Sequence, residues 1–117
     1  KIQTGTDLKN VFSKSKCFVS TQDYENFPSL SMNEAMAAGN AIVSRNVGQT
    51  SYFVKDGLNG YLAKEDSARG IAMAIKEYIS NDKNHSRMQE ESIKLCREVH
   101  TPENFIKQID NFWNKLK

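Results

Sequence analysis

Cysteine, proline, histidine and tryptophan are scarce in this chain, which has two, two, two and one of them. The two cysteines, Cys17 and Cys96, lie far apart in unrelated contexts. No C-x-x-C pair and no cysteine–histidine spacing suits zinc, so a metal site is not expected. Two reduced, partly buried thiols in a reducing compartment are expected instead. No apolar run approaches the ~18–20 residues that span a bilayer, and no targeting peptide is visible. An excess of one charge is also lacking. Sixteen basic and fourteen acidic residues leave +2, spread along the chain, too little charge to argue for nucleic acid or an anionic membrane surface. What remains is ordinary globular composition, 38% hydrophobic and 26% charged, and it excludes disorder, collagen and repeat arrays. The 117 residues make one domain, long enough to bury on the order of two-thirds of its unfolded surface.

Short apolar runs alternate with helical patterns. Ile2-Gln3-Thr4 reads as the end of a strand, and Leu8, Val11 and Phe12 recur at helical spacing. Cys17-Phe18-Val19-Ser20 and Ala41-Ile42-Val43-Ser44 are continuous strand-like runs, and Gly60-Tyr61-Leu62-Ala63 is a third. Met32 to Ala38 is rich in helix formers and stops at Gly39, the residue type favoured just past a helix end. Tyr52-Phe53-Val54 suggests a short helical turn, and Asp56-Gly57 and Asn59-Gly60 signal turns. The second half is helical. Asp66 or Ser67 caps a helix that places Ile71, Ile75, Tyr78 and Ile79 on one face. His85 to Val99 forms a second helix, with Met88, Ile93, Leu95 and Cys96 inward. Thr101-Pro102-Glu103 opens a third, whose stripe of Phe105, Ile109, Phe112, Trp113 and Leu116 is expected to pack in the core rather than to bind a partner. Apolar strands separated by helices predict a doubly wound α/β domain, about four parallel strands with helices on both faces.

Such sheets bind ligands outside the carboxyl ends of their strands, so the segment after Ser20 comes first. It leads into a helix through Ser31-x-x-Glu34, a capping box that sets the helix start near Met32. The amides of that first turn, near Ser31 to Asn33, make a natural phosphate site. Pro28 stiffens the loop. Glu25 and Glu34 bracket it, and a carboxylate accepts two hydrogen bonds from a vicinal diol. On these residues alone two readings stand side by side: a phosphate-and-sugar site, or a capping Glu34 beside a solvated Glu25.

The run Glu25-Asn-Phe-Pro…Glu34-Ala-Met-Ala-Ala-Gly39-Asn-Ala-Ile-Val43 resembles the donor-binding signature of the retaining glycosyltransferases of family 4, which have the GT-B fold. Gly5-Thr6-Asp7-Leu8 before it, Val47-Gly48 after it and Asp56-Gly57-Leu58-Asn59-Gly60-Tyr61-Leu62 further on resemble the neighbouring motifs in the same order. The likeness extends to about Ser80, and the three terminal helices fit the family in pattern. It implies a Rossmann-like C-terminal half that holds a nucleoside diphosphate sugar, a UDP- or GDP-sugar, with no metal and no other cofactor. By the same resemblance Glu25 is the catalytic-site residue at the transferred hexose, and Asn26, Phe27 and Pro28 line the sugar. Ser29 continues the donor loop. The amides near Leu30, Ser31 and Met32 face the pyrophosphate, and Glu34 holds the ribose hydroxyls.

The departures are specific. Eight residues rather than seven separate Glu25 from Glu34, Gln49 replaces the second glycine of V-G-G, Tyr52 replaces a glutamate, and Asn40 stands beside the usual proline. They leave a non-catalytic nucleotide-sugar-binding or structural module as the alternative. Arg45 follows a strand end and is read as a surface residue, and Lys83, Lys94 and Arg97 as a solvated helix face. His85 and His100 lack partners at a useful spacing and are read as solvated or capping. The chain begins at Lys1 with a strand-like segment. The resemblance therefore implies residues 1–117 as a partial C-terminal domain truncated at its N-terminus. Its partners would be the sugar nucleotide and an N-terminal acceptor-binding domain, and alone it would be inactive. The implied location is cytoplasmic, with any peripheral attachment to the inner face of the membrane made through other segments, and the implied role is glycan or polysaccharide biosynthesis.

Overall fold

The computed structural model describes residues 5–24 and 29–116. Helix α1 spans Gly5–Lys14, strand β1 Cys17–Ser20, helix α2 Leu30–Ala37, strand β2 Ala41–Arg45 and the short helix α3 Thr50–Phe53. Strand β3 spans Gly60–Ala63, and helices α4 (Ala68–Ser80), α5 (His85–Val99) and α6 (Pro102–Leu116) follow. Among the described residues three strands form one sheet in the order β1-β2-β3. Both pairings are parallel, with Val19 beside Val43 and Val43 beside Tyr61. The expected doubly wound α/β class is therefore present with three strands; the expected strand end at Ile2-Gln3-Thr4 lies outside the described residues.

The helix boundaries follow from local chemistry. Helix α2 stops because Gly39 adopts a φ of +82°, which an L side chain resists. Gly39 N–H then donates to the Met36 carbonyl, and Asn40 N–H to the Ala35 carbonyl, the paired bonds of a Schellman end. Ser67 caps α4 through its hydroxyl, which accepts from Gly70 N–H at 3.0 Å. Thr101 caps α6 by accepting from Asn104 N–H at 3.3 Å. Two of the apolar predictions are corrected. Ile79 is 65% exposed, and Ala74 takes the inward place on α4. The whole α6 stripe is exposed, Trp113 at 60% and Phe112 at 63%, because no described element covers that face.

Two apolar clusters sandwich the sheet. Phe12, Met32, Met36, Ile42, Phe53 and Val54 form one; Ala41, Val43, Tyr61, Ala74, Tyr78 and Met88 form the other. Alternate residues of β2 feed opposite clusters, as the period of a strand requires. Helix α5 serves both, with Met88 in one and Leu95 and Cys96 against the other. Asn40 is fully buried, and its amide donates to the carbonyls of Phe12 (2.9 Å) and Ala35 (3.2 Å), so the residue beside the family's proline ties α1 to α2.

The Asp56–Leu62 turn is a folding device. The buried Asn59 side chain accepts from Lys55 N–H at 2.7 Å and donates to the Phe53 carbonyl at 3.1 Å. The Asp56 carboxylate accepts from Leu62 N–H at 2.8 Å. A Cβ on Gly60 would lie 1.7 Å from the Ile42 carbonyl oxygen. Gly60→Ala therefore has to separate β2 from β3, and urea denaturation is expected to show a loss of about 3 kcal/mol or more. Ser67→Ala, which removes only a cap, is expected to cost about 1 kcal/mol.

Candidate functional site

The carboxyl ends of β1 and β2 meet the start of α2. Strand β1 ends in the buried Ser20 and strand β2 passes through the buried Ser44. With Gln22, Ser29, Met32 and Gln49 they line a small cavity of about 10 Å³, room for roughly one water. Phe53 forms part of its apolar wall. Sequence reasoning pointed to the loops after Ser20 and Ser44 but missed both serines themselves. The available signal was that each of the first two apolar runs finishes in a hydroxyl.

The start of α2 corrects the capping expectation. The helix begins at Leu30, not near Met32, with Ser29 at the N-cap and no side-chain cap bond. Ser31 and Glu34 are inside the helix, so the capping box is not formed. Ser29 is 4% exposed, and its carbonyl accepts from Asn33 N–H at 3.0 Å. Asn33 N–H is thereby used within the helix. The first-turn amides are those of Leu30, Ser31 and Met32, which have no acceptor inside the helix and lie at its positive end. That register is the one implied by the resemblance, one residue earlier than the capping box gives.

The predicted site residues are distributed as follows. Ser29 and Met32 meet at the cavity, and Leu30 and Ser31 are exposed at the helix start. Glu34 is exposed one turn further on, in a cleft of about 290 Å³ that it shares with Leu8, Lys9 and Phe12 of α1. Glu25, Asn26, Phe27 and Pro28 lie outside the described residues. Among the described residues no group of three or more His, Cys, Asp and Glu side chains could hold a metal ion. No helix among them is long and apolar enough to cross a membrane.

Several polar groups of the domain are structural. Arg45 pairs with Asp66, and its Nε donates to the carboxylate at 2.6 Å; the arginine is mostly covered, while Asp66 remains in solvent. Tyr52 stands edge-on to His100, with the Lys55 ammonium 5.7 Å from the Tyr52 ring. His100 stacks on Phe53 at 4.6 Å, and His85 stacks on Tyr78 at 4.0 Å. The solvated reading of both histidines is corrected: each ring packs on an aromatic neighbour. His100 does also occupy the C-cap position of α5. Both cysteines are free and half-buried. Burial pushes the Cys17 thiol up to about 11 and moves Cys96 in the same direction.

Parallel strands joined through helices that cover both faces of the sheet define a doubly wound α/β domain. The chain belongs to the glycosyl transferases group 1 family, whose profile matches residues 2–95. Among solved structures it is similar to sucrose-phosphate synthase from Thermosynechococcus elongatus, with a TM-score of 0.76 and 22% sequence identity. The likeness covers 91% of this chain and 26% of that one, so the chain spans about a quarter of that protein's length. It establishes the fold. No curated protein matches the chain.

Burial first and the nearby Lys55 second hold His100 below its usual value of 6.5. Its neutral form is therefore the one the fold favours. The stability it contributes is complete above the ordinary histidine range and is lost as pH falls below about 6.5. Thermal melts from neutral to mildly acidic pH should show this loss, and His100→Phe should flatten that part of the profile.

Proposed function

We propose that the chain is the donor-binding part of a retaining glycosyltransferase of the family 4 kind. It would transfer a hexose from a UDP- or GDP-sugar to an acceptor hydroxyl in glycan or polysaccharide biosynthesis. The observation that carries this reading is the junction of β1 and α2. The amides of Leu30, Ser31 and Met32 are gathered at the positive end of a helix, beside the carboxyl ends of parallel strands. Backbone donors and the helix dipole would meet the charge of a diphosphate there, and no metal is proposed.

The same donors suit the chemical step. Negative charge grows on the departing diphosphate as the bond to the sugar breaks, and fixed donors stabilise that charge without reorganising. Glu25 is assigned to the hexose, Asn26, Phe27 and Pro28 to the walls of its subsite, and Ser29 to the donor loop. Glu34 is assigned to the ribose hydroxyls. Its position supports this: it lies one turn from the first-turn amides, exposed and open to the cleft beside α1. The acceptor site is assigned to an N-terminal domain, so residues 1–117 alone would bind donor without transferring sugar. The protein is proposed to work in the cytoplasm, with any contact to the inner face of the membrane made by other segments.

Calorimetric titration of UDP and GDP into the chain tests the assignment. Glu34→Ala is expected to weaken the preferred nucleotide by roughly 10–100-fold, the value of a charge-assisted pair of hydrogen bonds. In the longer enzyme Glu25→Ala is expected to lower kcat far more than nucleotide affinity. Unchanged nucleotide binding in the first variant together with unchanged turnover in the second would sink the reading.

A further inference from the structure

Strand β3 is the last strand of the sheet among the described residues, so one of its sides has no neighbouring strand there. Ile42 N–H donates to the Asn59 carbonyl. Asn59, Tyr61 and Ala63 therefore turn their backbone groups toward β2, and Gly60 and Leu62 turn theirs outward. An open row of such groups is a template for pairing with another strand. Here the row is already engaged. The Asp56 carboxylate accepts from Leu62 N–H at 2.8 Å, and Gly57 N–H donates to the Gly60 carbonyl at 2.8 Å. Asp56 also forms a parallel bridge with Gly60. The turn that precedes β3 thus lies back along its outer edge and occupies it.

We infer that the Asp56-Gly57 turn is a latch that closes the free edge of the sheet against strand addition by another chain. Its two bonds are the ones an incoming strand would make, donating to the Gly60 carbonyl and accepting from Leu62 N–H. The latch supplies both from within the chain, so an incoming strand must first break them. Gly57 makes the return possible. It has a φ of +74°, which glycine adopts freely. A Cβ there would meet nothing within 4 Å, so conformation and not space requires the glycine. Lys64, exposed just past the end of β3, adds the kind of charge that guards sheet edges. The D-G-x-N-G-x-L run therefore divides its work. Asn59 and Gly60 hold β3 close to β2, and Asp56 and Gly57 close the other side.

Amide hydrogen exchange followed by NMR at Leu62 tests this, with Val43 of the central strand as the reference. In the wild-type chain both amides are expected to exchange slowly at every concentration from about 10 to about 500 µM, the range of weak association. Asp56→Ala should speed exchange at Leu62 by roughly 10–100-fold in dilute solution, the value of one hydrogen bond to a charged group, and leave Val43 protected. Raising the concentration should then slow Leu62 again, because the freed edge pairs with a second copy. Read at that amide, the effect is independent of association through any other face. Asp56→Asn keeps an acceptor oxygen and should restore most of the protection. Gly57→Ala strains the turn without a clash and should speed Leu62 by roughly tenfold, which decides the matter where Asp56→Ala folds poorly. A wild-type Leu62 amide that exchanges like an unbonded one overturns the inference. So does an Asp56→Ala chain whose Leu62 amide stays fast at high concentration, or release of Val43 together with Leu62 in both variants.

Discussion

The buried Asn59 is the knot on which the rest of the chain depends. Its side chain holds both ends of the segment between Phe53 and Lys55. Its carbonyl accepts from Ile42 N–H of β2 at 3.0 Å and from the Ser92 hydroxyl of α5 at 3.4 Å. One residue thus joins α3, β2, β3 and α5. A polar group in a dry interior is costly unless its bonds are made, and here they are made by three separate segments: residues 53–55, β2 and α5. The next residue must be glycine because β2 and β3 touch there. Replacing either residue opens the sheet on the side where α3 closes the cavity.

That knot also shows how much of the family signature serves the fold. The D-G-x-N-G-x-L motif is spent on turns and buried bonds. Gly39 and Asn40 end α2 and tie it to α1. What is left unspent is the start of α2, where three amides have no acceptor within the helix. Stopping α2 so sharply at Gly39 lets β2 begin at Ala41, and the alignment of β2 with β1 then fixes where Ser20 and Ser44 stand. The cavity geometry is therefore set by a glycine well away from it.

Most of the fold was legible in the sequence because its signals are local. The three apolar runs became the three strands, and the 85–99 helix and the Thr101-Pro102 start were read to the residue. The start of α2 was misread because Ser31-x-x-Glu34 has the form of a capping box while Ser29, buried two residues earlier, holds the N-cap instead. Burial, not hydrogen-bonding capacity, decided the position, and burial is a tertiary fact. The α6 stripe failed for the same reason. Periodicity shows that a helix has an apolar side, but not whether anything lies against it. The cavity was only partly legible, since Ser20, Ser44 and Gln49 converge through the sheet rather than through the chain.

The parallel pairing of the strands has a consequence for how the molecule comes together. Cys17 pairs with Ala41 and Ile42 with Gly60, so no strand meets a neighbour across a hairpin turn. Every rung of the sheet closes a loop that already contains a helix, and chain entropy is lost before any rung forms. A sheet built only from such long closures forms more slowly than one built from hairpins. Once formed it lies between the Phe12, Met36 and Phe53 cluster and the Tyr78 and Met88 cluster, and core strands of that kind open only when the whole domain does.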